Sequence, residues 1–189
     1  MKPPALLLID IQNDYFAGGL MALEGMEAAA RNAGALLAEF RERDWPRFHV
    51  QHVSTRAGAT FFLPGTPGVE IHESVAPRDE EPIVIKHFPN TFRDTLLFDE
   101  LWQSNVGSLV ICGAMSNMCI DAATRHAVDF GFPSTVIHDA CAARSLTFGS
   151  RTVPAADVHA SFMAALTVYA RVCTLQEWEK TLSPAALAA

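Results

Sequence analysis

No stretch of this chain is rich in basic residues. Its 14 Lys and Arg are scattered among 21 Asp and Glu, for a formal charge of −7. That balance excludes an extended contact with nucleic acid or an anionic membrane surface. Long apolar runs are missing too. Ala5–Ile9 is far too short for a signal-peptide core or a membrane span, and Asp10 closes it. The four cysteines show no Cys-x-x-Cys spacing, so with no secretion signal they read as reduced thiols of a cytoplasmic protein. Neither Gly-x-Gly-x-x-Gly nor a P-loop pattern occurs, which removes the ordinary dinucleotide and nucleotide-phosphate sites.

What is present is enough for one domain over 1–189 with a full core, half of the chain being hydrophobic. The most informative stretch is 108–131. Leu109-Val110-Ile111-Cys112 reads as a buried strand, Gly113 breaks it, and Ala114-Met115-Ser116-Asn117 make a tight connection. Ile120, Ala123, Ala127 and Phe130 then recur at near-helical spacing, with Ser116 or Asn117 as N-cap and Gly131 as the stop. This puts Cys119 in a first helical turn at the C-terminal end of a strand. A helix N-terminus favours a thiolate, so Cys119 is expected to titrate below the free value of roughly 8.5. The bland alternative is a small buried hydrophobe.

Taken in order, Ala5–Ile9 is a strand buried on both faces, with Asp10 at its C-terminal end. Helical spacing over 26–43 places Ala29, Ala33, Leu36, Leu37 and Phe40 inward, and Pro46 ends the element. Residues 47–54 form a second strand. Its His49 and His52 point to opposite faces, which argues against their binding one metal from this strand. The segment 55–82 is long and irregular. Phe61, Phe62 and Leu63 in it wall a pocket, meet a second subunit, or simply pack a surface loop. Ile83–Ile85 is a third strand ended by Lys86, and 96–105 is a short helix with Leu97, Leu101 and Trp102 inward. Residues 134–138 form a fifth strand, followed by Asp139 and Arg144 as loop braces. A helix opened by Pro154 carries Val158, Phe162, Leu166 and Tyr169 on one face. Arg171–Cys173 is a sixth strand, 174–182 is helical, and 183–189 is a frayed tail.

Six strands alternating with helices predict an α/β fold of three layers, αβα, with a mainly parallel sheet in the order 3-2-1-4-5-6. Such sheets keep their chemistry at the C-terminal strand ends, where Asp10, Lys86 and Cys119 all fall. An acid can take the thiol proton and an ammonium can hold the thiolate. The lysine arm spans more than one strand spacing of roughly 4.8 Å.

The motifs LLLIDIQNDYF, LPGTPGVEIH, IVIKHFPNTF, VICGAMSNMCIDAATRHAVDFG and VIHDACAAR, in this order, resemble the isochorismatase-like cysteine hydrolases. That superfamily includes nicotinamidases and N-carbamoylsarcosine amidases. The resemblance implies an Asp–Lys–Cys triad on Asp10, Lys86 and Cys119. It also implies a cis peptide at Ala114–Met115 and an oxyanion hole from the backbone N–H groups of Met115 and Cys119. The reaction implied is hydrolysis of a small molecule's amide or ureido C–N bond through a thioester, with no cofactor. Asn13, Phe16, Asn90 and Phe92, with Phe61 from the long loop, are candidate substrate contacts. His72 and His87 are either polar pocket residues or solvated loop histidines. The Asp-x-His pair with which nicotinamidases bind metal is absent from Gln51–Ser54, so no metal is expected. The resemblance and the apolar loop together imply a homodimer or homotetramer. Three other readings compete: a metal-dependent nicotinamidase, a vinyl-ether hydrolase of the isochorismatase type, and a binding domain without catalysis.

Overall fold

The computed structural model describes residues 2–182; the tail expected at 183–189 lies outside the described residues. Six strands form one sheet: β1 (Pro4–Ile9), β2 (Arg47–His52), β3 (Ile83–Lys86), β4 (Ser108–Ala114), β5 (Ser134–Ala142) and, last in the chain, β8 (Arg171–Cys173). Their order is β3-β2-β1-β4-β5-β8, the order expected from the sequence with Arg171–Cys173 as the sixth sheet strand. Each neighbouring pair is parallel. The sequence reading omits a short antiparallel hairpin, β6 (Leu146–Phe148) and β7 (Arg151–Val153). Its Gly149-Ser150 turn, with Gly149 at φ +60°, carries a recognisable hairpin signal.

β1 and β4 are central and apolar on both faces, so the sheet has two cores. One face, with Leu6, Leu8, Val110 and Cys112, packs under α1 (Met26–Glu42) and α5 (Leu175–Lys180). The other, with Leu7, Ile9, Val84 and Ile111, packs under α2 (Leu97–Gln103), α3 (Asp121–Asp129) and α4 (Ala155–Leu166). The expected inward face of α1 is buried as read.

Three local expectations are corrected. Trp102 points outward, 72% exposed, because the seven-residue α2 has room inside for only one i, i+4 pair, Leu97 and Leu101. α4 ends at Leu166, which leaves Tyr169 exposed in the following turn. Phe162 is half-buried, and Met163 takes the inward place beside Val158 and Leu166. α3 ends at Asp129, so Phe130 is 45% exposed and rests on Phe92 and Phe98. Gly131 at φ +84° is the stop expected.

Candidate active site

With β2 and β1 between β3 and β4, the C-terminal sheet edge presents Lys86, His52, Asp10 and the turn carrying Cys119 in that spatial order. β1 ends at Ile9, and Asp10 leaves it with φ +54°, a left-handed conformation rare for a side chain larger than glycine. β4 lies so close here that a Cβ on Gly113, whose φ is +123°, would overlap the Ile9 carbonyl oxygen. Only glycine fits that contact.

The Lys86 ammonium is the hub. Its Nζ donates to Asp10 Oδ2 at 2.7 Å and lies 3.0 Å from His52 Nδ1, 3.2 Å from the Phe88 carbonyl and 3.2 Å from Cys119 Sγ. The ion pair it makes with Asp10 is wholly buried. An ammonium has no lone pair, so His52 Nδ1 is the accepting nitrogen and the ring proton sits on Nε2. Burial works against the Lys86 charge, but the Asp10 carboxylate and the Cys119 sulfur outweigh it and raise its pKa. Burial, and after it the Lys86 charge, pull the His52 imidazole down to about 4, so it is neutral at neutral pH.

Cys119 departs from the sequence-based expectation of a thiolate. Burial first, and the Asp10 carboxylate next, push its thiol well above the ordinary value, and Lys86 only partly opposes them. The magnitudes explain the reversal. A helix terminus contributes about 0.3–1 kcal/mol, whereas desolvation of a buried group is worth up to about 3–5 pKa units at 1.36 kcal/mol each. The turn is also not an ordinary helix start. Residues Ser116–Ile120 form a single π-helical turn ahead of α3, with Met115 as N-cap and no side-chain cap. Ser116, read as a possible cap, shares hydrogen bonds with the Ala142 carbonyl at 3.1 Å and His159 Nδ1 at 2.8 Å. Asn117 does not cap either, and among the described residues its buried Oδ1 has no hydrogen-bond partner.

The Ala114–Met115 peptide is cis. The Met115 carbonyl accepts from the Met118 and Ile120 N–H groups, passing over the Cys119 N–H between them. Among the described residues, Asp10 Oδ1 is also buried with no hydrogen-bond partner.

The residues after Asp10 divide the work of holding the 55–82 segment. Gln12, fully buried, donates to the His52 and Val69 carbonyls and accepts from the His52 N–H at 2.8 Å. Asp14 accepts from the Phe62 N–H at 2.6 Å and the Leu20 N–H at 3.1 Å. Gly68 lies so close that a Cβ there would overlap the Asp14 carboxylate. Thus anchored, Phe62 is buried at φ +54° and packs on Tyr15 and His52. Phe61 is half-buried against Tyr15 and Phe62.

The remaining candidates stand elsewhere. Asn13 donates to the Pro67 carbonyl at 2.8 Å, which makes its amide a loop tie. Phe16 stacks on His72 at 3.5 Å and 8°, beside a groove lined by Ala17, Ala30, Arg31 and Ser74 and by none of the three proposed catalytic residues. His72 caps a turn through Ser74, and exposed His87 bonds the Val53 carbonyl. Asn90 accepts from the Phe92 N–H, and Phe92 is buried in the same core as Cys119. β5 runs on past the expected end at 138, so Asp139 lies within the strand and accepts from the Leu175 N–H at the start of α5, while Arg144 reaches Met21 from the loop.

Asp10, His52 and Cys119 offer ligand atoms within 4.8 Å of one another, a spacing a metal ion could use. The Lys86 ammonium already lies within 3.2 Å of a ligand atom of each of the three, so a metal there would meet a like charge at close range. The donor set does not fit a resident metal. No helix among the described residues is long and apolar enough to cross a membrane.

Three known proteins resemble this chain. The isochorismatase family protein YddQ of Bacillus subtilis is 51% identical over 177 residues, 93% of this chain and 98% of that one. A crystal structure of an isochorismatase-type hydrolase from Oleispira antarctica superposes with a TM-score of 0.89 at 50% identity, covering 94% and 96% of the two chains. The nicotinamidase of Escherichia coli, more distant, is 26% identical over 218 aligned positions, 96% of this chain and 99% of its own length. Residues 4–177 match the family described as the Isochorismatase domain, and the chain belongs to the isochorismatase family of hydrolases.

Proposed function

We propose that this protein is a cysteine hydrolase that cleaves an amide or ureido C–N bond of a small molecule. The observation that carries the reading is the buried Lys86 ammonium, bonded to Asp10 and 3.2 Å from the Cys119 sulfur. The sequence relation to a nicotinamidase supports an amide-type bond.

Cys119 starts as a thiol. As its sulfur bonds the substrate carbonyl carbon, its proton passes to Asp10, whose Oδ1 has no hydrogen-bond partner among the described residues. The thiolate that develops draws on the Lys86 charge 3.2 Å away. The Cys119 N–H left over by the Met115 carbonyl, with the Met115 N–H, stabilises the oxyanion. The intermediate collapses by breaking the C–N bond, and Asp10 returns the proton to the departing ammonia or amine. Water then gives a proton to Asp10 while its oxygen attacks the thioester. The C–S bond breaks, Asp10 returns that proton to the Cys119 sulfur, and the acid product leaves. Every proton moves between groups already in place, and no external cofactor enters.

The test is ammonia release and intact-protein mass spectrometry with a panel of small amides, ureido acids and nicotinamide. A substrate-sized adduct on Cys119 is expected, with turnover lost in Cys119→Ala by at least about 10³-fold. Retention of most activity in that variant would falsify the mechanism.

A further inference from the structure

We infer that His52 is a positioning residue, a neutral acceptor that holds the Lys86 ammonium where the Cys119 sulfur can use it. The inference rests on the proposed mechanism and adds a residue to it.

The first observation is topological. β2 lies between β3 and β1, and His52 pairs with Lys86 in register. To reach Asp10 the lysine arm must pass over the strand that carries His52. Whatever stands at the end of β2 therefore decides where the ammonium rests.

The second observation is a count of protons. The ammonium has three N–H donors. Four acceptors surround it: Asp10 Oδ2, His52 Nδ1, the Phe88 carbonyl and Cys119 Sγ. A thiol sulfur is the weakest acceptor of the four, so the other three take the protons at rest. Once the sulfur gains charge it becomes a strong acceptor, and charge-assisted hydrogen bonds are roughly twice as strong as neutral ones. One N–H must then turn to it. Asp10 holds its proton through an ion pair, so the proton that turns comes from His52 or the Phe88 carbonyl, the two neutral acceptors. His52 thus fixes Nζ against Asp10 and yields at a low cost.

The third observation is how firmly His52 is set. Gln12 bonds both its N–H and its carbonyl, and Phe62 packs on its ring at 5.9 Å. Burial keeps the ring uncharged, since an imidazolium would repel Lys86 rather than accept from it.

The experiment compares wild type, His52→Leu and His52→Asn. Leucine removes the acceptor. Asparagine can place its amide oxygen near the position of Nδ1. Two readouts are used: kcat and KM on whichever amide of the panel is hydrolysed, and the rate of Cys119 alkylation by iodoacetamide, which needs no substrate. The expected result for His52→Leu is a fall in kcat of about 10- to 100-fold, KM within about 2-fold, and alkylation slowed at least about 5-fold at neutral pH. His52→Asn should recover most of both losses. Equal rates in all three proteins would overturn the inference, as would equal losses in both variants, since a merely structural ring is not replaced by an amide acceptor. Failure of the underlying mechanism looks different: Cys119→Ala stays active, or wild-type Cys119 resists iodoacetamide.

Discussion

Lys86→Met tests how much the buried ammonium contributes to holding the Asp10 carboxylate in the fold. Methionine keeps the unbranched arm and removes the charge. Both side chains of the Lys86–Asp10 pair are wholly buried, so the variant strands a carboxylate with no cation near it. Removing one partner of a buried pair costs about 3–5 kcal/mol. For a chain of this length each kcal/mol moves Tm by about 2–4 °C, which puts the expected drop at about 6–20 °C. Replacing the carboxylate as well, in Lys86→Met with Asp10→Asn, removes the stranded group and should recover at least half of the lost Tm. Scanning calorimetry reads both variants. A Lys86→Met Tm within about 2 °C of wild type, or a double variant no more stable than the single one, refutes the reasoning.

Two further outcomes concern the frame around the site. Buried Glu81 accepts from Arg41 at 2.6 Å, Arg47 at 2.7 Å and the Arg78 N–H at 3.0 Å, and meets His49 at 2.9 Å. Burial alone would raise its pKa, but these bonds hold it well below the ordinary carboxylate range. Glu81→Gln should cost about 2–4 kcal/mol at pH 7, less than a fully enclosed pair because both arginines can turn to water. A group with a depressed folded pKa contributes its stability above the unfolded value, so the difference from wild type should shrink below about pH 4.3. Urea unfolding at pH 7 and at pH 3.5 checks the sign, and a difference that grew with acid would contradict it. Gly113→Ala combines a left-handed φ with an overlap on the Ile9 carbonyl, and should cost about 2–5 kcal/mol while displacing Asp10. An unfolding midpoint equal to wild type's would show that β4 can move away freely.

Asp10, Lys86 and Cys119 are legible in the sequence because each follows or closes an apolar run, and the right-handed crossover rule brings the ends of those runs to one edge. His52 is not legible in the same way. Along its own strand it has His49 for company, and the two do point to different surroundings: His49 to Glu81 and His52 to Lys86. Its partner stands on the next strand, and only the register of His52 with Lys86 makes the pair. The polar cluster after Asp10 shows a second limit. Gln12, Asn13 and Asp14 all look fit to meet a ligand, yet all three hold loop backbone. Composition cannot separate a polar residue that faces a substrate from one that satisfies a buried carbonyl; the close approach of Gly68 to Asp14 is a tertiary fact. Trp102 and Tyr169 were lost for a simpler reason. Trp102 lies one residue, about 100° of turn, from inward Leu101 on the short α2, and Tyr169 lies beyond the end of α4, a boundary the periodicity does not mark.

The raised pKa of Cys119 changes what the lysine is for in the proposed mechanism. A cysteine kept as thiolate would need a cation to hold it at rest. Here the resting sulfur is neutral, and the three protons of Lys86 have better acceptors in Asp10, His52 and the Phe88 carbonyl. The ammonium therefore acts late, as the sulfur charges. Nucleophilicity rises with thiol pKa, with a Brønsted slope of about 0.4–0.5, so a thiolate formed against its own high pKa attacks harder than a resting one would. What it lacks is population, and that is the term Asp10 and Lys86 supply together, one removing the proton as the other receives the charge. Burial of the sulfur, which on sequence evidence alone argues for a bland core cysteine, is then part of the chemistry. It keeps the thiol protonated until an electrophile sits close enough for proton transfer and bond formation to proceed in one step.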